Sequence, residues 1–250
     1  MIRIEPRESP SRRFTIGIPV ASALLALLLA AIPLSFAGAN IGEAYQQMAK
    51  GIFGSMFAFT EMLTRATPLI FTGLAATLAF RAKLWNIGAE GQLYLGAMAA
   101  VAVGTGWISG PPILLIPMIL IAGALAGALG MAGPAYLKTR FGADEVVTTL
   151  LLNFIILIFI QMMLEGPLKD PMGMGWPQSS PVVDNAILPQ ILPRMRLHYG
   201  LVIALVAAVI AHIMLSKSVW GLKLRAVGEN AAAALHAGIG VKRTLMSAAL

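Results

Sequence analysis

The chain has 250 residues, 58% of them hydrophobic and 12% charged, with a mean hydropathy of +0.81. Soluble domains carry about 25% charged residues, so this composition excludes a soluble globule and leaves an integral membrane protein. Cysteine is absent, which excludes disulfides, thiolate metal sites and a cysteine nucleophile, and the basic residues behind the net charge of +7 are scattered between apolar runs, which argues against a nucleic-acid partner.

A bilayer core about 30 Å thick needs roughly 20 apolar residues in a helix. The first uncharged run covers residues 14–37 and follows a basic tail, residues 1–13, expected on the cytoplasmic side. Ser11-Arg12-Arg13-Phe14 resembles a twin-arginine signal and Ser35-Phe36-Ala37 a cleavage site. The run is longer than a signal core and further apolar runs follow, so a retained first helix is the reading adopted.

Residues 40–65 read as an amphipathic helix on the outer surface, with Ala44, Met48 and Ile52 on one face. Thr67-Pro68 then supplies a cap followed by a first-turn proline, which predicts that the second span starts there and continues through residue 80. The third run covers 93–108, and the segment before it is polar and broken by glycine. Short apolar runs joined in this way predict a discontinuous helix pair of the kind that lines a transport cavity. Within the segment Asn86 and Glu90 are four apart, and Gln92 follows. Glu90 reads either as a group in the pathway or as a structural tie to Arg81 or Lys83.

In the fourth run, 113–137, Ala122, Ala126, Gly130 and Pro134 repeat every four residues and Gly123 pairs with Gly127, a face suited to close helix packing in lipid. The fifth, 146–164, is interrupted by Thr148, Thr149 and Asn153, with Thr149 and Asn153 on one face. They read as an interhelical tie or as polar groups along a translocation path. Asp144 and Glu145 open that helix, where both read as capping residues. Residues 165–198 form an extracytoplasmic loop holding six of the 15 prolines. It is either a solvated loop or part of a docking surface for an external partner, anchored by Trp176.

The sixth run is 199–215, and residues 216–243 form a basic cytoplasmic loop. There Glu229 or Asn230 can cap a short alanine-rich helix ending at Gly238, with Ala234 in its middle expected to sit deep in a partner's groove. The apolar stub after Arg243 reads as the start of a seventh span cut short, so the chain is expected to be one C-terminally incomplete transmembrane domain. With the tail inside, thirteen of the 18 Lys and Arg residues fall on the cytoplasmic side. The fold class is therefore all-α: a polytopic transmembrane helical bundle with a broken helix pair. His198, His212 and His236 show no metal spacing, and no phosphate-binding loop is present.

Three motifs occur together in order: Thr67-Pro68-Leu69-Ile70-Phe71-Thr72-Gly73-Leu74-Ala75 followed by Asn86-Ile87-Gly88-Ala89-Glu90-Gly91-Gln92, then residues 142–153, then residues 221–230 with Ala237-Gly238-Ile239. In these the chain resembles the permease subunits of nucleoside-type ABC importers, within the broader family of branched-chain amino acid and simple-sugar permeases. Sugar-type relatives carry a different motif at 86–92, so the resemblance favours nucleosides. It implies a non-enzymatic subunit in the plasma (inner) membrane that holds no cofactor. ATP would be used by separate ABC ATPase subunits, beside a second, different permease and an extracytoplasmic substrate-binding protein. It also implies an ATPase-coupling role for Gly221, Arg225, Gly228, Glu229, Asn230, Ala234 and Gly238, and a substrate pathway along Asn86, Glu90, Gln92, Thr149 and Asn153. The rival reading is an ion-coupled secondary transporter or channel that uses Glu90. An intramembrane hydrolase finds no constellation to support it.

Overall fold

The computed structural model describes residues 12–106, 108 and 110–250, so residues 1–11 of the predicted tail lie outside the described residues. Ten α-helices and one 3-10 turn are present among them, and two isolated β-bridges occur in the loop 165–198. Five helices are long and apolar enough to cross a membrane: α1 (Arg12–Phe36, apolar from Gly17), α3 (Met56–Arg81), α5 (Pro112–Phe141), α6 (Glu145–Glu165) and α7 (Gly200–Lys217). Their outward residues, among them Leu28, Leu125, Leu129, Phe154, Ile155 and Ile158, are more than half exposed, as helices that meet lipid rather than water require.

The chain divides into two units, one up to Met62 and one from Leu63 onward. In the first, α1 is followed by α2 (Ile41–Phe53), whose N-terminus is capped by the Asn40 side chain accepting from Gly42 and Glu43 N–H, and the Tyr45 hydroxyl donates to the Leu27 carbonyl. The surface helix expected over 40–65 is therefore shorter, because α3 begins at Met56. Thr67-Pro68 does not start a helix. Pro68 is internal to α3, and Thr67 donates its hydroxyl to the Leu63 carbonyl instead of capping. Side-chain hydroxyls can occupy backbone groups near a proline, so a membrane helix tolerates it.

In the second unit α3 ends at Arg81 and the chain runs through residues 82–88 without regular structure into α4 (Ala89–Gly104). At 16 residues α4 is about 24 Å long, short of a bilayer core, as a discontinuous helix should be. It packs chiefly on α5 and α6. Small residues set the α4–α5 distance: a Cβ placed on Gly96 would lie 2.8 Å from the Gly123 carbonyl oxygen, and Gly127 and Gly130 face Gln92. This agrees with the small-residue face expected on α5.

Residues 165–198 are tied down rather than merely solvated. Val183 N–H donates to the Gly104 carbonyl at the end of α4, and Asn185 Nδ2 donates to the Gly110 carbonyl. Met172, Met174 and Trp176 project from this loop, each at least three-quarters exposed. Beyond α7 lie α8 (Val219–Glu229), α9 (Ala231–His236) and α10 (Val241–Ala249). They pack with the end of α3, residues 82–84 and α5 around one core of Ala79, Leu84, Met131, Leu224, Val227, Ala234 and Leu245.

The α4–α5 contact generates a first prediction. Gly96→Val has no room against the Gly123 backbone and should cost about 1–3 kcal/mol or more, seen as a lower unfolding temperature in detergent. Gly133→Ala, where a Cβ meets nothing within 4 Å, should shift that temperature little.

Candidate functional site

Residues 82–83 turn the chain out of α3, with Lys83 at φ 53°, and 84–88 run on without regular structure. Burial alternates along them: Ala82, Leu84, Asn86 and Gly88 point inward, while Lys83, Trp85 and Ile87 are exposed. The N–H groups of Ala82, Lys83 and Leu84 donate back to the Ala79 and Phe80 carbonyls of α3, but those of Trp85 and Ile87 have no helical or sheet partner, and at membrane depth each unpaired N–H or C=O costs free energy. One face of α6 supplies the partners. Trp85 N–H donates to Glu145 Oε1 at 3.2 Å and Ile87 N–H to Thr149 Oγ1 at 3.2 Å. Gly91 N–H, in the first turn of α4, donates to Asn153 Oδ1 at 2.8 Å, and Asn153 Nδ2 donates back to the Ile87 carbonyl at 3.2 Å. Glu145, Thr149 and Asn153 recur every fourth residue and are all buried, so they form a single polar stripe about 12 Å long. Close approach is permitted by glycine: a Cβ on Gly88 would lie 3.1 Å from Thr149, and one on Gly91 would lie 2.5 Å from Asn153 Oδ1.

Inside this frame Asn86 and Gln92 form a reciprocal amide pair. Asn86 Nδ2 donates to Gln92 Oε1 at 3.0 Å and Gln92 Nε2 donates to Asn86 Oδ1 at 3.1 Å. Asn86 Oδ1 also accepts from Gly88 N–H at 2.9 Å, which fixes the turn into α4.

The structure thus brings Asn86, Gln92, Thr149 and Asn153 together. Glu90 stands apart: it is exposed on the first turn of α4, where its charge suits the helix dipole, and among the described residues no ion pair joins it to Arg81 or Lys83. Sequence reasoning missed the part played by Glu145. Asp144 is the cap, accepting from Val146 and Val147 N–H, whereas Glu145 is buried, holds Trp85 and pairs with Lys138. The four-residue spacing with Thr149 and Asn153 was its available signal.

Two neighbouring cavities meet at Gln92, and Asn86 lines the first of them. One, of about 310 Å³, is lined by Phe71, Thr72, Asn86, Gln92, Gly127 and Met131 among others. The other, of about 450 Å³, shares Phe71, Gln92, Leu93, Gly123 and Ala124 with it and extends to Leu188 and His198 of the loop 165–198. Neither is lined by Asp, Glu, Lys or Arg. Thr149 and Asn153 line neither, since their polar atoms are spent on the backbone of the stretch before α4.

The predicted coupling residues all fall in or beside α8 and α9. Ser218 caps α8, and the Arg225 guanidinium donates to the Leu215 carbonyl at the end of α7, against which Gly221 is closely packed. Asn230 caps α9 by accepting from Ala233 N–H, and Gly238, at φ 80°, ends the turn after it. Glu229 is exposed. Ala234 does not face outward as expected: it is 4% exposed and packed with Leu224, Val227 and Leu245. A six-residue helix has one inner face, and Ala234 occupies it. The other five residues of α9 are exposed, Leu235 by 62%.

The family model described as branched-chain amino acid transport system / permease component matches residues 58–250. The guanosine ABC transporter permease protein NupP of Bacillus subtilis is 37% identical over 93% of this chain and 67% of its own length. The glucose ABC transporter permease protein TsgB13 of Haloferax volcanii is 34% identical over 95% of this chain and 65% of its own. The nucleoside ABC transporter permease protein NupB of Lactococcus lactis is 31% identical over 92% and 65%. The chain thus spans about two thirds of the length of these relatives. No solved structure matches it.

Removing the tie at Asn153 leaves the Gly91 N–H and the Ile87 carbonyl unpaired. Asn153→Ala should therefore destabilise the protein by about 1–3 kcal/mol, more than Thr148→Ala, whose half-buried hydroxyl bonds only within α6. Thermal unfolding in detergent measures the difference.

Proposed function

The chain belongs to the branched-chain amino acid transport system permease family, and from that premise we propose that it is the membrane subunit through which an ABC importer moves a nucleoside into the cytoplasm. It is a multi-pass membrane protein. In the proposed assembly separate ATPase subunits supply the energy, an extracytoplasmic binding protein delivers the cargo, and a second, different permease completes the channel.

The observation that carries the cargo reading is the pair of cavities meeting at Gln92, one of them also lined by Asn86. Their walls are largely apolar, share the Phe71 ring and hold no Asp, Glu, Lys or Arg, which suits a neutral solute rather than a phosphorylated or zwitterionic one. Two amides offer both donors and acceptors, the chemistry that a nucleobase edge pairs with. We assign the pathway to Asn86 and Gln92, with Thr149 and Asn153 holding the broken segment that presents them. Glu90 serves the α4 terminus. The similarity to NupP and NupB favours a nucleoside, and the similarity to TsgB13 makes glucose the competitor to test.

The expected orientation puts the N-terminus in the cytoplasm. Arg81, Lys83, Lys138 and the basic residues of 217–243 share one end of the second unit through the Gly228–Arg81 and Lys138–Glu145 contacts, which supports that reading. The same end carries α8 and α9, proposed as the seat of the ATPase, with Leu222 and Leu235 exposed for contact.

Reconstitution of the intact transporter in liposomes tests this. ATP-driven uptake of guanosine, outcompeted by unlabelled nucleosides and not by glucose, is the expected result; uptake of glucose alone would overturn the cargo assignment. Gln92→Leu should lower uptake about tenfold at equal expression, the effect of one lost hydrogen bond to the cargo. Leu235→Asp should abolish ATPase co-purification, whereas Ala234→Trp should lower stability, because position 234 lies in the chain's own core.

A further inference from the structure

The stretch that carries Asn86 also carries Leu84, and the two ends of that short strut meet different machinery. Leu84 is fully buried in a core shared with Leu224 and Val227 of α8 and Ala234 of α9. Two residues on, at most about 7 Å along the backbone, Asn86 pairs with Gln92 at the cavities. The contact at the α8 end is direct. At Gly228 the backbone of α8 lies on the carbonyl of Arg81 so closely that a methyl group there would collide with the oxygen, and it would come within 3.5 Å of Ala82 Cα. Gly228 thus meets the last residue of α3 and the first of the stretch, where no side chain intervenes to absorb a shift.

The rest of the hairpin is equally stiff. Arg225 and Gly221 lock α8 to the end of α7, and Trp220 Nε1 donates to Ser247 Oγ of α10 at 3.0 Å. On its other side the stretch is held by Glu145 and Thr149. A displacement of α8 therefore reaches residues 81–84 as a displacement, since close-packed contacts transmit strain. The stripe on α6 is the fixed rail along which the stretch must slide or break.

We infer that the Gly228–Arg81 backbone contact, backed by Leu84, is the element that transmits motion of the α8–α9 hairpin to the Asn86–Gln92 pair, so that Gly228 and Leu84 are positioning residues for coupling. This rests on the reading of α8–α9 as the ATPase seat. It separates the hairpin into an outward face that receives the motion and an inward face that passes it on.

The test uses the intact transporter in liposomes with its ATPase and binding protein. Because the chain contains no cysteine, an environment-sensitive fluorophore on Ile87→Cys, an exposed position in the stretch, reports its movement alone. In the otherwise unchanged protein the signal shifts when ATP binds, and in Gly228→Ala or Leu84→Ala it does not. Leu84→Ala keeps at least half of the ATP hydrolysis stimulated by the binding protein, while solute imported per ATP falls about tenfold, and Leu84→Met restores both readouts. An equal fluorescence shift in all variants overturns the inference, as does the absence of any shift in the unchanged protein. So does a loss of hydrolysis and uptake in equal proportion, which marks a merely structural role. Leu84→Ala decides the matter if Gly228→Ala does not assemble. The fluorescence readout does not depend on which solute is carried, so a failure of the nucleoside assignment shows only in the uptake measurement.

Discussion

Five residues of irregular backbone, 84–88, between two membrane helices have to find hydrogen-bond partners, and much of the second unit follows from how they do so. Water is absent from the bilayer core, and an unpaired amide there costs several kcal/mol. Glu145, Thr149 and Asn153 answer that demand from one face of one helix. Once the stretch is fastened to α6, the start of α4 is fixed beside that helix. That start in turn fixes Asn86 opposite Gln92.

The same constraint explains which parts of this arrangement were legible in the sequence. Helices α1, α5, α6 and α7 follow from uncharged runs, because lipid demands an apolar surface on every side of a spanning helix. The break before α4 was legible from glycine and polar residues between two short runs. The start of α3 was not: Thr67-Pro68 carries the usual marks of a helix start, yet a membrane helix runs through them. The alternation of residues 82–88 was hidden as well. Inward positions hold Ala, Leu, Asn and Gly, and outward ones Lys, Trp and Ile, so hydrophobicity does not report which face is buried. Glu145 looked like a cap because its partner, Trp85 N–H, lies sixty residues away, and a backbone donor leaves no mark on a sequence. The burial of Ala234 was hidden for a related reason. An alanine-rich helix can present its small face to a partner or to its own chain, and only the core around Leu224 and Leu245 decides between them.

Charge is placed to keep the cavities neutral. Lys138 and Glu145 satisfy each other at one end of the bundle, Asp144 caps α6, and Glu90 sits on the first turn of α4. A charged group in the cavity wall would need a counter-ion or bound water, and would hold a neutral solute no better. An amide pair avoids this difficulty. It is self-satisfied when the site is empty, so neither amide is left unpaired, and it exchanges its internal bonds for bonds to a cargo at little net cost.

That exchange also sets what a coupling device has to accomplish. If the amide pair is satisfied both empty and loaded, binding alone gives little preference between closed and open arrangements, and the bias has to come from elsewhere. The α8–α9 hairpin is suited to impose it because α9 is only six residues long and too short to hold its shape alone. Its order depends on the core behind it and on whatever covers Leu235 in front. At Gly228 the hairpin meets the end of α3 backbone against backbone, a contact in which neither partner has a rotamer to relax, so in the proposed coupling a shift of the hairpin has no side chain to absorb it before Arg81.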